Sequence, residues 1–232
     1  MAITYPLTAP TSTIGPEAIS FRLVTADALS VSPFTYKQQV VRLGGSRWEV
    51  SVTIPPVNKD VAEVWISFLL SLKGRTGTFL LGDPMGQNQQ GVFGGSLYGY
   101  PSLIMDFGTG YYRYTDAAFS ASIDGSGQTG ETINIKGLPI DTNNVFRPGD
   151  YIQIGAGAGS TMHKVLTTTN SALDGKATIE IAPALRTVSV DNTVVQTSNA
   201  KGLFRLKDNT VEWSIDKASR YGISFDAVEA LV

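Results

Sequence analysis

The chain has 232 residues, of which 42% are hydrophobic and 16% charged, with 24 Gly, 11 Pro and a net charge of −2. That length buries a real core, in one large β domain or two small ones, and the apolar content excludes disorder. No run of Lys or Arg is present to grip nucleic-acid phosphates, and the absence of Cys excludes disulfides and thiolate metal sites.

Residues 1–17 are rich in Thr and Pro and read as an extended arm. They carry neither the basic segment nor the apolar core of a secretory signal. The product is therefore expected to stay in the cytosol, or to leave by another route. No window approaches the ~18 apolar residues of a membrane span.

Ile19, Phe21 and Leu23 alternate with Ser20 and Arg22, a period of two that predicts a half-buried strand. Tyr36 to Leu43 reads as a second strand and Gly44-Gly45-Ser46 as a tight turn. Trp48, Val50, Val52 and Ile54 then alternate with Arg47, Glu49, Ser51 and Thr53. With the preceding segment this strand is expected to form a hairpin, ended by Pro55-Pro56, which cannot donate to a ladder.

A helix is predicted over residues 58–73. Asn58 stands where a cap belongs, and Asp60 lies in the first turn, where negative charge is favoured. Val61, Val64, Trp65, Phe68, Leu69 and Leu72 recur at helical spacing, with Glu63, Ser67 and Ser71 off that face. Gly74 supplies a left-handed stop. Thr78 to Leu81 reads as a strand.

Composition shifts at Gly82-Asp83-Pro84. To about residue 115 the chain is rich in Gly and Tyr, including Tyr98, Tyr100, Tyr111, Tyr112 and Tyr114. This stretch reads as partly exposed loops with short strands, and exposed Tyr suits protein interfaces. Five short strands follow: Phe119–Ile123, Thr132–Ile135, Tyr151–Ile154, Met162–Thr167 and Ala177–Ile181. Asp124-Gly125, Pro148-Gly149-Asp150, Gly155–Gly159 and Asp174-Gly175 are turn signals between them. That spacing predicts a small barrel of the oligonucleotide/oligosaccharide-binding type. Val211, Trp213 and Ile215 alternate near the end of the chain, as do Ile223, Phe225 and Ala227.

The predicted fold class is mainly β. Residues 1–84 and 203–232 form a discontinuous, β-sandwich-like domain with one packed α-helix. Residues 85–202 form an inserted, loop-rich domain with a small β-barrel.

Apparent motifs reduce to structure. Gly125 to Gly130 matches the dinucleotide-binding glycine pattern, but strand-like Glu131–Ile135 follows where a helix is needed to hold a pyrophosphate. Asn170 to Glu180 resembles a calcium loop only faintly, because Ala172 offers no ligand oxygen. His163 is the sole histidine and lies mid-strand, with no nucleophile elbow in the sequence. Asp83, Asp106, Asp116 and Asp150 sit in turn-like contexts. The chain therefore reads as non-enzymatic, with no catalytic, cofactor or metal residue assigned.

Several blocks, in this order, resemble one family. They are the Trp48 strand through Pro55-Pro56 and the helix to Thr78-Phe79-Leu80-Leu81-Gly82-Asp83-Pro84; then Gly149-Asp150-Tyr151-Ile152-Gln153-Ile154 with His163-Lys164-Val165; then Asn199-Ala200-Lys201-Gly202-Leu203-Phe204-Arg205-Leu206 with Trp213-Ser214-Ile215. Together they resemble distal tail proteins of long, non-contractile-tailed phages and related prophage or gene-transfer particles. The Gly/Tyr stretch matches least. The resemblance implies a virion structural protein at the tail tip, in the host cytoplasm during assembly. It implies a ring, usually a hexamer, that joins the tail tube protein to the baseplate hub and leaves a channel for DNA. The discontinuous domain would make the ring and the barrel would project outward. Tape-measure or accessory tail proteins are further implied partners.

Alternatives are a carbohydrate-binding module stacking sugars on Tyr98, Tyr100 or Tyr111, a hydrolase, or the tube protein itself. For ring closure the candidate surfaces are open strand edges, at the Trp48 hairpin or the C-terminal strand, with the arm of residues 1–17 ordering on assembly.

Overall fold

The alternation at Trp48–Ile54 does form a strand, but one much longer than the spacing predicts. The computed structural model describes residues 3–11, 15–91, 104–106, 111–113 and 120–231, with backbone only at 104–106 and 111–113. In chain order the first elements are β1 (Leu7–Thr8), β2 (Ala18–Val31), β3 (Gln38–Val57), α1 (Lys59–Ser71) and β4 (Phe79–Leu81). Next come β5 (Ile104–Asp106), β6 (Tyr111–Arg113), β7 (Ser122–Ile123), β8 (Gly130–Lys136), β9 (Tyr151–Ile154), β10 (Thr161–Val165), β11 (Ala177–Leu185) and β12 (Val195–Gln196). The last are β13 (Gly202–Leu206), β14 (Trp213–Ile215) and β15 (Tyr221–Glu229). The described residues are mainly β, with one α-helix among them.

Two compact units emerge. The first comprises Met1–Leu81, Gly157–Ser160 and Gly202–Val232; the second comprises Gly82–Ala156 and Thr161–Lys201.

The first unit is a curled sheet ordered β1-β4-β13-β15-β3-β2, with β14 also paired to β15. Two expected breaks in β3 are absent. Gly44-Gly45 is a bulge and not a turn: Thr25 pairs with Ser46 and Asp27 with Arg42, so Ala26 alone faces Leu43, Gly44 and Gly45. Gly44 takes φ +73, which an L side chain resists, and a Cβ on Gly45 would lie 3.2 Å from the Ala26 Cβ. The true partner of β3 is β2, joined through residues 32–37. Pro55-Pro56 does not end the strand either. The β3–β15 register shifts between Ile54–Ile223 and Val57–Tyr221, so both prolines sit in a bulge, where a missing N–H is tolerated.

The core lies between the inner face of this sheet and α1. Trp48, Val50, Val52 and Ile54 are buried on one face of β3. The helix supplies Ala62, Trp65, Ile66, Phe68 and Leu69. Trp65 meets Phe225 at 6.0 Å between ring centroids, Phe68 meets Phe79 at 5.4 Å, and Phe79 reaches Phe204 at 6.3 Å. The buried face is rotated from the expected one: Ala62 and Ile66 replace Val61 and Val64, the latter being exposed. Asn58 is the N-cap residue, yet its side chain makes no capping bond; its carbonyl accepts from the Val61 and Ala62 N–H groups. Gly74 does adopt a left-handed φ of +68 beyond the helix end.

Part of the expected arm is already docked. β1 pairs in parallel with β4, and the Tyr5 hydroxyl donates to the Ser71 carbonyl at 2.7 Å.

The second unit holds a six-stranded sheet ordered β12-β9-β10-β11-β8-β7. A bridge between Ser122 and Val194 brings its two edge strands together, so the sheet is a nearly closed, barrel-like wall. Its core is branched aliphatic, with Ile123, Ile133, Ile135, Ile152, Ile179 and Ile181 among the buried residues, and Phe146 beside them. Strand β12, two residues long, was not expected from the spacing. Of the expected strand at Phe119–Ile123, Phe119 lies outside the described residues. β5 and β6 pair antiparallel with each other.

Candidate assembly interface

β15 pairs with β3 only from Glu49 to Val57. Before Glu49, β2 is the only described strand partner of β3, and β2 lies at the end of the sheet order. From Val24–Arg47 to Val31–Gln38 the two therefore form a two-stranded ribbon beyond the sheet. At ~3.3 Å per residue the ribbon is roughly 30 Å long.

Its tip is fixed by two backbone bonds: Ser32 N–H donates to the Lys37 carbonyl and Tyr36 N–H to the Ser32 carbonyl, both at 2.9 Å. Phe34 is 92% exposed and Tyr36 79% exposed. Along the ribbon Leu29, Val31, Val40, Val41 and Leu43 are also exposed. Leu29 is opposite Val40 and Ala28 opposite Val41, so apolar groups occupy both faces. Between Leu23 and Leu43 the only charged residues are Asp27, Lys37 and Arg42. An isolated two-stranded ribbon in water is marginal, and open edges with apolar faces are pairing surfaces.

The base of the ribbon is held by charge. Glu49 accepts from Arg22, from Arg47 at 2.8 Å, and lies 3.5 Å from Lys207. The Arg22 and Arg47 guanidinium bonds, helped by Lys207, hold its carboxyl down to about 2. The neighbouring Trp48 N–H donates to the buried Glu229 carboxylate at 2.9 Å. This clamp anchors the ribbon where it leaves the sheet.

The residues singled out in sequence are dispersed. His163 is buried on β10, its Nδ1 2.7 Å from the Pro183 carbonyl and its Nε2 2.9 Å from Thr161 Oγ1. A carbonyl can only accept, so Nδ1 carries the hydrogen and Nε2 accepts from the hydroxyl. Burial holds its pKa at about 4, so the ring is neutral. Asp150 is buried and accepts from Gln90 N–H at 2.6 Å and Arg147 N–H at 2.8 Å; Asp83 accepts from Met85 N–H at 2.9 Å. These are turn-fixing roles. The glycine run at 125–130 leads into β8, with φ near +90 at Gly125, Gly127 and Gly130. Asp174-Gly175 is a turn in which Lys176 N–H donates to Asp174 at 3.2 Å. Among the described residues no group of three or more His, Cys, Asp or Glu is placed to hold a metal ion. Tyr98, Tyr100, Tyr114 and Asp116, and the side chains of Asp106, Tyr111 and Tyr112, lie outside the described residues.

Phe34 and the ribbon were missed in sequence. The available signal was two aromatics in a segment, Ser32–Lys37, with turn formers around them.

No family model matches the chain, and no curated protein matches it.

Proposed function

We propose that this chain is a non-enzymatic structural subunit of a phage tail. It assembles with copies of itself into a closed ring, a hexamer, at the distal end of the tail tube. The ring joins the tube to the baseplate hub and leaves a channel for DNA, and the tape-measure or accessory tail proteins are further neighbours. The barrel, of the oligonucleotide/oligosaccharide-binding type, belongs to the outward-projecting part.

One observation carries this reading: a two-stranded ribbon with exposed apolar side chains on both faces, along which neither strand has another strand partner among the described residues. Such a surface is stabilised by strand addition from a neighbour, which supplies both missing ladder bonds and apolar cover. Closure into a ring needs one patch to meet a different patch on the next copy, repeated around an axis. The low charge, the lack of basic runs and the order of the tail-protein-like blocks agree with a wall past which DNA moves without being gripped.

The test is native mass spectrometry of the purified protein with negative-stain images. A single closed oligomer or a stacked pair of rings with a central channel is expected. Long stacked tubes would point to the tube protein. A strict monomer at high concentration, alone and with tube and hub proteins added, would sink the reading.

A further inference from the structure

We propose that the ribbon tip of one copy, Ser32 to Lys37, seats in a cleft beside β14 on the next copy. The inference rests on the self-assembly reading above and gives that contact its two faces.

The cleft opens where the first unit's sheet is interrupted. The β13–β15 ladder ends at Leu206–Ala227, and the β14–β15 ladder begins at Trp213–Ile223. Lys207 N–H still donates to the Asp226 carbonyl at 2.9 Å, and residues 208–212 then leave the sheet, opposite Ser224 and Phe225. The resulting cavity has a volume of ≈ 750 Å³, within the ~300–1,000 Å³ of sites that take a ligand of several side chains' size. Val211 and Phe225, both half-buried, contribute apolar surface to it, with buried Val52 and Leu69 behind them. Asp208, Glu212 and Asp226 contribute carboxylates, and Trp213, 40% exposed, adds an aromatic ring. Among the described residues no Lys or Arg lines it.

That chemistry defines an occupant. Three carboxylates without a lining cation repel phosphates and acidic groups. Apolar surface with an aromatic ring takes an apolar or aromatic side chain, and the carboxylates and indole favour a cation next to it. The chain displays that sequence of groups at the ribbon tip: Phe34 and Tyr36, both strongly exposed, followed by Lys37. The two backbone bonds across the tip preorganise it, which lowers the entropy lost on docking.

The tip cannot reach the cleft of its own chain. The cleft takes Ser51 to Thr53 from β3, whereas the tip lies beyond Gln38 at the other end of that strand. At ~3.3 Å per residue the two are roughly 40 Å apart, along a strand held by its partner. Knob and cleft are therefore different patches of one surface, as a head-to-tail interface demands.

The chain has no Cys, so two engineered thiols can report this contact alone. Thr35→Cys marks the tip and Thr210→Cys the cleft; both sites are exposed, so folding is little affected. The two single variants are mixed in equal amounts and oxidised, with native mass spectrometry run in parallel. A disulfide-linked dimer containing one of each variant is expected, because bridging requires Cα atoms within about 7 Å. Adding Lys37→Glu to the tip variant is expected to reduce the yield about tenfold at low salt. Closed oligomers without the mixed dimer would overturn the tip-in-cleft contact and leave self-assembly standing. The mixed dimer in open filaments without closed rings would uphold the contact and overturn the ring. Monomers without the mixed dimer, alone and with tube and hub proteins added, would overturn both.

Discussion

Trp65→Ala is expected to cost the first unit about 3–5 kcal/mol, the largest single loss available on α1. Trp65 is fully buried at the centre of the packing between helix and sheet, edge-on to Phe68 at 5.9 Å and tilted against Phe225 at 6.0 Å. Removing the indole leaves a cavity that rigid aromatic neighbours cannot close. One feature moderates the loss: the indole N–H is buried without a partner among the described residues, so truncation also removes an unsatisfied donor. The check is urea unfolding followed by tryptophan emission. Trp48, Trp65 and Trp213 are the only tryptophans and all belong to the first unit, so Trp48 and Trp213 still report it in the variant. Two further substitutions test which face of the helix is buried. Ile66→Ala is expected to cost about 2–4 kcal/mol. Val64→Ala, on a residue 39% exposed, is expected to stay within about 0.5 kcal/mol. Equal costs at the two positions would show that the assigned face is wrong.

That comparison touches the point where the sequence is ambiguous. Around Trp65, Phe68 and Leu69 two overlapping stripes have helical spacing, one completed by Val61 and Val64 and one by Ala62 and Ile66. Ala62 contributes almost nothing to a hydrophobic pattern, so the first stripe stands out, although the aromatic cluster selects the second. The strands of the barrel were legible because each is short and bounded by turn signals such as Asp124-Gly125, Pro148-Gly149-Asp150 and Asp174-Gly175. β12 was not, since two residues have no period. In the first unit local turn signals misled. Gly44-Gly45 and Pro55-Pro56 each look like an end, yet both are absorbed as bulges by partners far along the chain, Ala26 in one case and the Tyr221–Ile223 stretch in the other. The actual turn, Ser32 to Lys37, lacks the Asn-Gly or Asp-Gly pair that marks a tight hairpin. So the ribbon, which carries the proposed assembly surface, was visible only as exposed residues on a paired strand. The extent of the free ribbon depends on where β15 stops pairing with β3, and no local pattern encodes that.

The second unit is expected to lose stability on acidification through one residue. His163 is the only histidine, and burial, with Arg186 nearby adding repulsion, holds its pKa at about 4 against an ordinary 6.5; the Pro183 carbonyl opposes this only in part. In the unfolded chain the ring takes up a proton near pH 6.5, whereas in the folded unit it stays neutral to about pH 4. Between those values the unfolded state binds more protons, so stability is complete above about 6.5, falls as the pH drops, and levels off below about 4. At ~1.4 kcal/mol per pH unit the loss is on the order of 3 kcal/mol. Two measurements check this. The single imidazole resonance in the NMR spectrum should titrate near pH 4, and a midpoint of 6 to 7 would show the ring to be solvated. In urea titrations between pH 4 and 7, the transition seen by far-UV ellipticity should move while tryptophan emission, confined to the first unit, moves much less. His163→Gln should flatten the dependence whatever it does to absolute stability, because the slope belongs to the proton. A surviving slope in that variant would assign it to the carboxylates, of which Glu49, held at about 2, contributes only below its ordinary 4.5.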